Sequence, residues 1–131
     1  MEITIALRQA KEPVAIMHIK GEINATNFVE VVAKAREIYN NPARYLVIDL
    51  SEVTNITSTG LVAIHKIALL YSGVPHEVEP HENPDFTHSS NARKYVRLLN
   101  PQPAVDAALE QSGLKLFFKV FDDLEKAIRS F

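Results

Sequence analysis

Apolar and polar residues alternate at the start of the chain, with Ile3, Ile5 and Leu7 on one side, which predicts a half-exposed strand over Ile3 to Arg8. Val14 to Ile23 is almost continuously apolar and β-branched, so it predicts a more buried strand, with Lys11-Glu12-Pro13 as the intervening turn. Asn24 to Asn27 then offers several helix caps. Phe28, Val31, Val32, Ala35, Ile38 and Tyr39 recur at helical spacing until Asn40-Asn41-Pro42 stops them. Tyr45 to Leu50 is a short apolar run of the kind buried on both faces of a sheet.

Ser51 to Thr59 is polar and rich in hydroxyls, and reads as a turn. Leu61, Ile64, Ala68 and Tyr71 mark the next helix. It also carries Val62, Ile67, Leu69 and Leu70, is apolar on most sides, and is ended by Gly73, so it should lie deeper than a surface helix. Tyr95 to Leu99 predicts a strand, Pro103 to Ser112 a helix ended by Gly113, and Leu116 to Phe121 another strand. The last helix starts at Asp122 or Asp123 and turns Leu124, Ala127, Ile128 and Phe131 inward. The order is β-β-α-β-α-β-α-β-α. Alternating strands and helices require crossovers, which predicts one α/β domain over 1–131. Its sheet should be mixed but mostly parallel, with the first two strands forming an antiparallel hairpin.

Val74 to Asn91 interrupts this pattern. It holds Pro75, Pro80 and Pro84 and little to bury, so a mobile insert is expected at 74–91. His76, His81 and His88 stand there among acids, but their irregular spacing matches no closed metal site, and no metal is assigned.

Composition narrows the function. A net charge of -2 supplies no global attraction to nucleic acid or acidic membrane. Without cysteine there is no disulfide, thiolate metal site or thiol redox chemistry. Met1-Glu2-Ile3-Thr4-Ile5 lacks the basic start of a signal peptide, and no apolar stretch could span a bilayer. A cytoplasmic location without direct membrane insertion is the expectation.

The informative stretch runs from Val47 to Leu61: strand, polar turn, then the start of a buried helix. Turns at the carboxyl ends of strands in α/β sheets are where ligands and partners dock. Thr57, Ser58 and Thr59 also stand where a helix leaves its first amides unpaired. Ile48-Asp49-Leu50-Ser51, Val53, Ile56 and Ser58-Thr59-Gly60-Leu61 resemble the signature of the STAS family, in its anti-sigma factor antagonist branch. Gly21-Glu22-Ile23-Asn24 is similar to the family's earlier "Gly-Glu-Leu-Asp". Ser112-Gly113, the following strand, and Asp122-Asp123-Leu124 through Ala127-Ile128 are similar to its carboxyl-terminal pattern. The resemblance covers the chain apart from 74–91.

The resemblance implies a STAS-like fold and a protein-binding regulatory module rather than an enzyme, with no cofactor. It implies phosphorylation of Ser58 by a partner kinase that doubles as an anti-sigma factor, only the unphosphorylated form binding that partner. The implied partner is that anti-sigma factor/serine kinase or another signalling protein. The expected docking surface combines Asn24 to Asn27, the Asn55 to Thr59 turn and the exposed face of the helix that starts near Ser58, with Asn24, Thr26, Asn27, Asn55, Thr57, Ser58, Thr59 and Gly60 as its partner-binding residues. Gly60, unfavourable in a helical turn, would let a partner approach closely. Thr57 and Asn24 each replace a family acid, removing two carboxylates from that surface.

Other readings accompany this one. Capping alone explains a hydroxyl at Ser58, and Thr57 or Thr59 would cap equally well. A nucleophile elbow is disfavoured because Ile56 replaces its first glycine, no Ser…Asp…His order follows, and His65 lies two helical turns from Ser58. The same surface, with no covalent switch, would suit a STAS subunit of a transport or stress-signalling assembly. A small-molecule sensor binding at the sheet edge is a third reading. His18 reads as a core or edge histidine, and Asp49 as a holder of the following turn.

Overall fold

In a computed structural model, residues 1–40, 45–71, 95–116 and 118–131 are described. The expected stop at Asn41-Pro42, Gly73, and the whole 74–91 insert with its three histidines lie outside them.

Five strands form one sheet in the order of the chain. β1 (Glu2–Gln9) and β2 (Pro13–Ile23) pair antiparallel as the expected hairpin, with Ile3 opposite Ile19 and Ile5 opposite Met17. β3 (Tyr45–Ile56), β4 (Val96–Leu99) and β5 (Lys119–Phe121) follow in parallel. Between them run α1 (Phe28–Asn40), α2 (Ser58–Tyr71) and α3 (Pro103–Gln111), and α4 (Leu124–Arg129) closes the described chain.

Every crossover moves one strand over in the same direction. With right-handed connections, that places α1, α2 and α3 on the same face. Ala15, Met17 and Ile19 of β2, Leu46, Ile48 and Leu50 of β3, and Val96 and Leu98 of β4 meet them there in the main core. α4 follows the last strand, is free of the crossover constraint, and covers the opposite face. There Ala127 and Ile128 pack on Val14, Ile16, Val47 and Leu99. Both faces of β2 to β4 are thus covered, which is why β2 reads as a nearly continuous apolar run and Tyr45 to Leu50 of β3 as a short apolar one. α2 buries Gly60, Ala63, Ile64, Ile67, Ala68, Leu70 and Tyr71, in keeping with its apolar circumference. Burying each large aliphatic side chain contributes about 1.5–3 kcal/mol.

Two elements differ from their sequence pattern. β3 does not stop at Leu50 but runs six residues further, to Ile56. Its far half still pairs with β2, but the register slips between His18 and Lys20 and again between Gly21 and Ile23. These irregularities spread the buried residues to Leu50, Val53 and Ile56, every third position, so the strand loses the period of two. Gly21, with φ of 109°, takes the left-handed backbone within this distorted stretch. The last strand is also shorter than Leu116 to Phe121, because Leu114–Leu116 closes into a 3-10 turn before β5.

α4 starts as its acids predict, Asp123 accepting a hydrogen bond from the Lys126 amide at 3.1 Å. Arg97 on β4 is buried beneath its end. It donates to the Ser130 hydroxyl at 2.8 Å and the Ser130 carbonyl at 3.2 Å, and lies 4.5 Å over the Phe131 ring.

Candidate functional site: the turn between β3 and α2

The extended β3 reduces the predicted polar turn to one residue, Thr57. Its amide donates to the Ile23 carbonyl at 3.0 Å, tying the ends of β2 and β3 together. Its hydroxyl oxygen accepts from the Gly60 amide at 3.2 Å, and its carbonyl accepts from Leu61 at 2.9 Å. Thr57 is therefore the N-cap of α2, and of the three consecutive hydroxyls it alone does that work. Ser58, one residue later, is the first helical residue. It is exposed, and its hydroxyl makes no hydrogen bond among the described residues.

The neighbouring turn is built around Asn24. Its side-chain oxygen accepts from the Thr26 amide at 2.9 Å and the Thr26 hydroxyl at 2.6 Å. The Asn24 amide donates to the side-chain oxygen of Asn27 at 2.9 Å, and its carbonyl accepts from Phe28 at 3.0 Å, opening α1. Asn24 and Asn27 are thus engaged in shaping the turn, and the outward groups are those of Thr26, Asn55 and Ser58.

Glu22, quoted in the motif but not among the expected contact residues, belongs to this cluster. Its carboxylate accepts from the Asn24 side chain at 3.0 Å and the Asn55 side chain at 3.5 Å, and its carbonyl accepts from Asn27 at 2.8 Å. Alternation along β2 was the available signal, because Glu22 points out between the inward Ile23 and the bend at Gly21. Val29 and Val62 were also missed as surface residues: they are 64% and 46% exposed on α1 and α2. Val62 lies four residues after Ser58, hence one turn along the same helix face. Between the two helices a groove is lined by Phe28, Val32, Arg36, Lys66 and Leu69.

Gly60 does not lie on the surface assigned to it. It is buried, and a Cβ there would stand 2.5 Å from the Ile23 carbonyl oxygen and 2.7 Å from Cγ1 of Ile56. The missing side chain makes room for β2, not for a partner. Thr59 is half-buried.

Among the described residues no group of three or more His, Asp or Glu side chains is placed to hold a metal ion. His65 is half-buried, and desolvation pushes its imidazole below the ordinary histidine range. His18 is half-buried on β2 and meets Glu52 at 2.9 Å, while Asp49 accepts from the Ser51 amide at 3.0 Å, holding the strand where the register begins to slip. No described helix is long and apolar enough to cross a membrane. Among the described residues the strand order never reverses, so the described sheet has no switch-point crevice of the kind that seats small ligands in doubly wound folds.

Comparisons with known proteins agree with this architecture. The chain is similar to an anti-sigma factor antagonist from Mycobacterium paratuberculosis, at 20% identity and a TM-score of 0.68, covering 98% of this chain and 93% of that one. It is similar to a Thermotoga maritima protein solved by NMR, at 18% identity and a TM-score of 0.68, with 98% and 89% covered. It also resembles the anti-sigma factor antagonist SpoIIAA in its unphosphorylated form, at 16% identity and a TM-score of 0.60, with 97% and 96% covered. No curated protein matches it by sequence. At these identities the likeness is one of fold. Residues 6–72, from β1 through α2 and including the whole candidate site, match the STAS domain model, and the chain belongs to the STAS domain family.

Proposed function

We propose that this protein is an anti-sigma factor antagonist switched by phosphorylation of Ser58, with an anti-sigma factor that is also a serine kinase as its partner and the cytoplasm as its location. The observation that carries the reading is the division of labour between Thr57 and Ser58. Capping falls to Thr57, and the exposed Ser58 hydroxyl, with no hydrogen bond among the described residues, is open to a kinase. Support also comes from the SpoIIAA likeness, since that protein is described by its phosphorylation state.

A phosphate on Ser58 would sit at a helix start, where an anion is favourable by about 0.3–1 kcal/mol, so modification leaves the fold intact. Its effect falls on the complex. Thr26, Asn55 and Ser58 form a polar rim beside exposed Val29 and Val62, and a protein partner would desolvate both. Nearly two added charges in such an interface cost several kcal/mol, and each ~1.4 kcal/mol is tenfold in affinity.

The test is titration of the partner kinase against the native protein, Ser58→Ala and Ser58→Asp. Native and Ser58→Ala should bind alike and Ser58→Asp at least tenfold more weakly, with all three melting alike. Equal affinity of the three forms would refute the switch. It would favour the second reading, a STAS subunit of a transport or stress-signalling assembly, which the neutral side chains at Thr57 and Asn24 suit.

A further inference from the structure

β1 is an edge strand. It pairs only with β2 among the described residues, so its outer row of backbone donors and acceptors meets no described strand. Its odd residues face the side of the three helices, but α1 and α2 stand over β2 and β3, and their cover does not reach the outer end of β1. Ile5 is left 41% exposed and Leu7 66% exposed. An eight-residue edge with open backbone and uncovered aliphatic side chains is a template for another strand.

The charges on β1 say which strand. Glu2 and Arg8 stand near its two ends and share its even face. Arg8 meets Glu125 of α4 at 2.8 Å, and Glu2 forms no ion pair among the described residues. We propose that β1 is a self-association edge: two copies of this chain pair antiparallel about a two-fold axis through Ile5. That axis sets Ile5 against Ile5 of the second copy, Ile3 against Leu7, Thr4 against Ala6, and Glu2 against Arg8, twice over. Directly opposed residues share a face in an antiparallel pair, so the aliphatic contacts form on the helix side and the ion pairs on the α4 side. Moving the axis to Thr4 or Ala6 preserves the faces but loses both ion pairs. The Arg8 guanidinium has donors enough for Glu125 and an incoming Glu2 together.

This pairing joins two five-stranded sheets into one and leaves the Ser58 turn open. Because β1 and β2 run antiparallel to their copies, the two Ser58 turns point to opposite ends of the dimer. It would therefore offer two docking turns that cannot serve one compact partner domain together. The inference does not depend on Ser58 being a switch.

Sedimentation equilibrium tests it. One strand pair covers less than the ~800 Å² per partner of a standard interface, so association is expected between about 10 μM and 1 mM. Ile5→Lys, which puts two like charges on the axis at an exposed position, should weaken the dimer at least tenfold while melting as the native chain does. Glu2→Arg and Arg8→Glu should each associate poorly alone, and an equimolar mixture of the two should recover native association, because every opposed pair is then complementary. Since the chain has no cysteine, Ile5→Cys should form an intermolecular disulfide with diamide and Thr4→Cys should not. A native chain monomeric throughout that range, a dimer that survives Ile5→Lys, or an equimolar mixture no better than its components would each overturn the proposal.

Discussion

Replacing Gly60 by alanine tests how the start of α2 is seated on β2. In an ordinary helix interior the change is favourable by about 0.8–1 kcal/mol through helix propensity. Here the new Cβ would lie 2.5 Å from the Ile23 carbonyl oxygen, 2.7 Å from Cγ1 of Ile56 and 3.0 Å from the Ile23 carbonyl carbon. The Ile56 side chain can give a little, but the Ile23 carbonyl cannot, because it accepts the Thr57 amide at 3.0 Å and so joins β2 to the α2 cap. Overpacking of this kind costs about 1–3 kcal/mol. Straining or losing the Thr57 bond adds about 0.5–1.5 kcal/mol. Set against the propensity gain, the net expectation is a loss near 2 kcal/mol, or roughly 6–8 °C in Tm for a domain of this size. Thermal denaturation followed by circular dichroism reads it, with the half-buried Thr59→Ala as the neighbouring control. A Gly60→Ala protein that melts at or above the native temperature would refute the reasoning. It would mean that the helix start can lift away from Ile23 at no cost.

Two further substitutions separate neighbouring roles. Thr57→Ala should lose about 0.5–2 kcal/mol of stability in chemical denaturation because the α2 cap is removed, whereas Ser58→Ala should stay within ~0.5 kcal/mol of native. Equal losses would mean that the cap is shared. Arg97→Met should cost about 1–3 kcal/mol, since Ser130 loses a charged donor in a part-buried setting. Hydrogen exchange should then accelerate first in α4, and uniform acceleration over the whole sheet would contradict a local clasp.

Element identity and order were readable in the chain itself. Alternation in β1, the nearly continuous apolar run of β2, the apolar run that opens β3, and the 3.6-residue recurrence in α1 and α2 are local patterns, imposed by which sides of one element meet water. The hairpin followed from its short turn, and the start of α4 from Asp123. The polar stretch between β3 and α2 was also legible, because its hydroxyl-rich residues stand out against the apolar flanks on either side.

Tertiary structure decided what depended on a distant neighbour. Ser51 to Ile56 carries the composition of a turn, and becomes strand only because β2 offers a bulged partner across from it. Thr57, Ser58 and Thr59 are equivalent as hydroxyls in sequence. The end of β3 against Ile23 determines which is the cap and which stands free. Gly60 could as well have faced a partner as the core, and the Ile23 carbonyl settles that it faces the core. The common cause is range: a period reports an element's own geometry, while a cap, a bulge or a close approach is set by atoms more than thirty residues away along the chain.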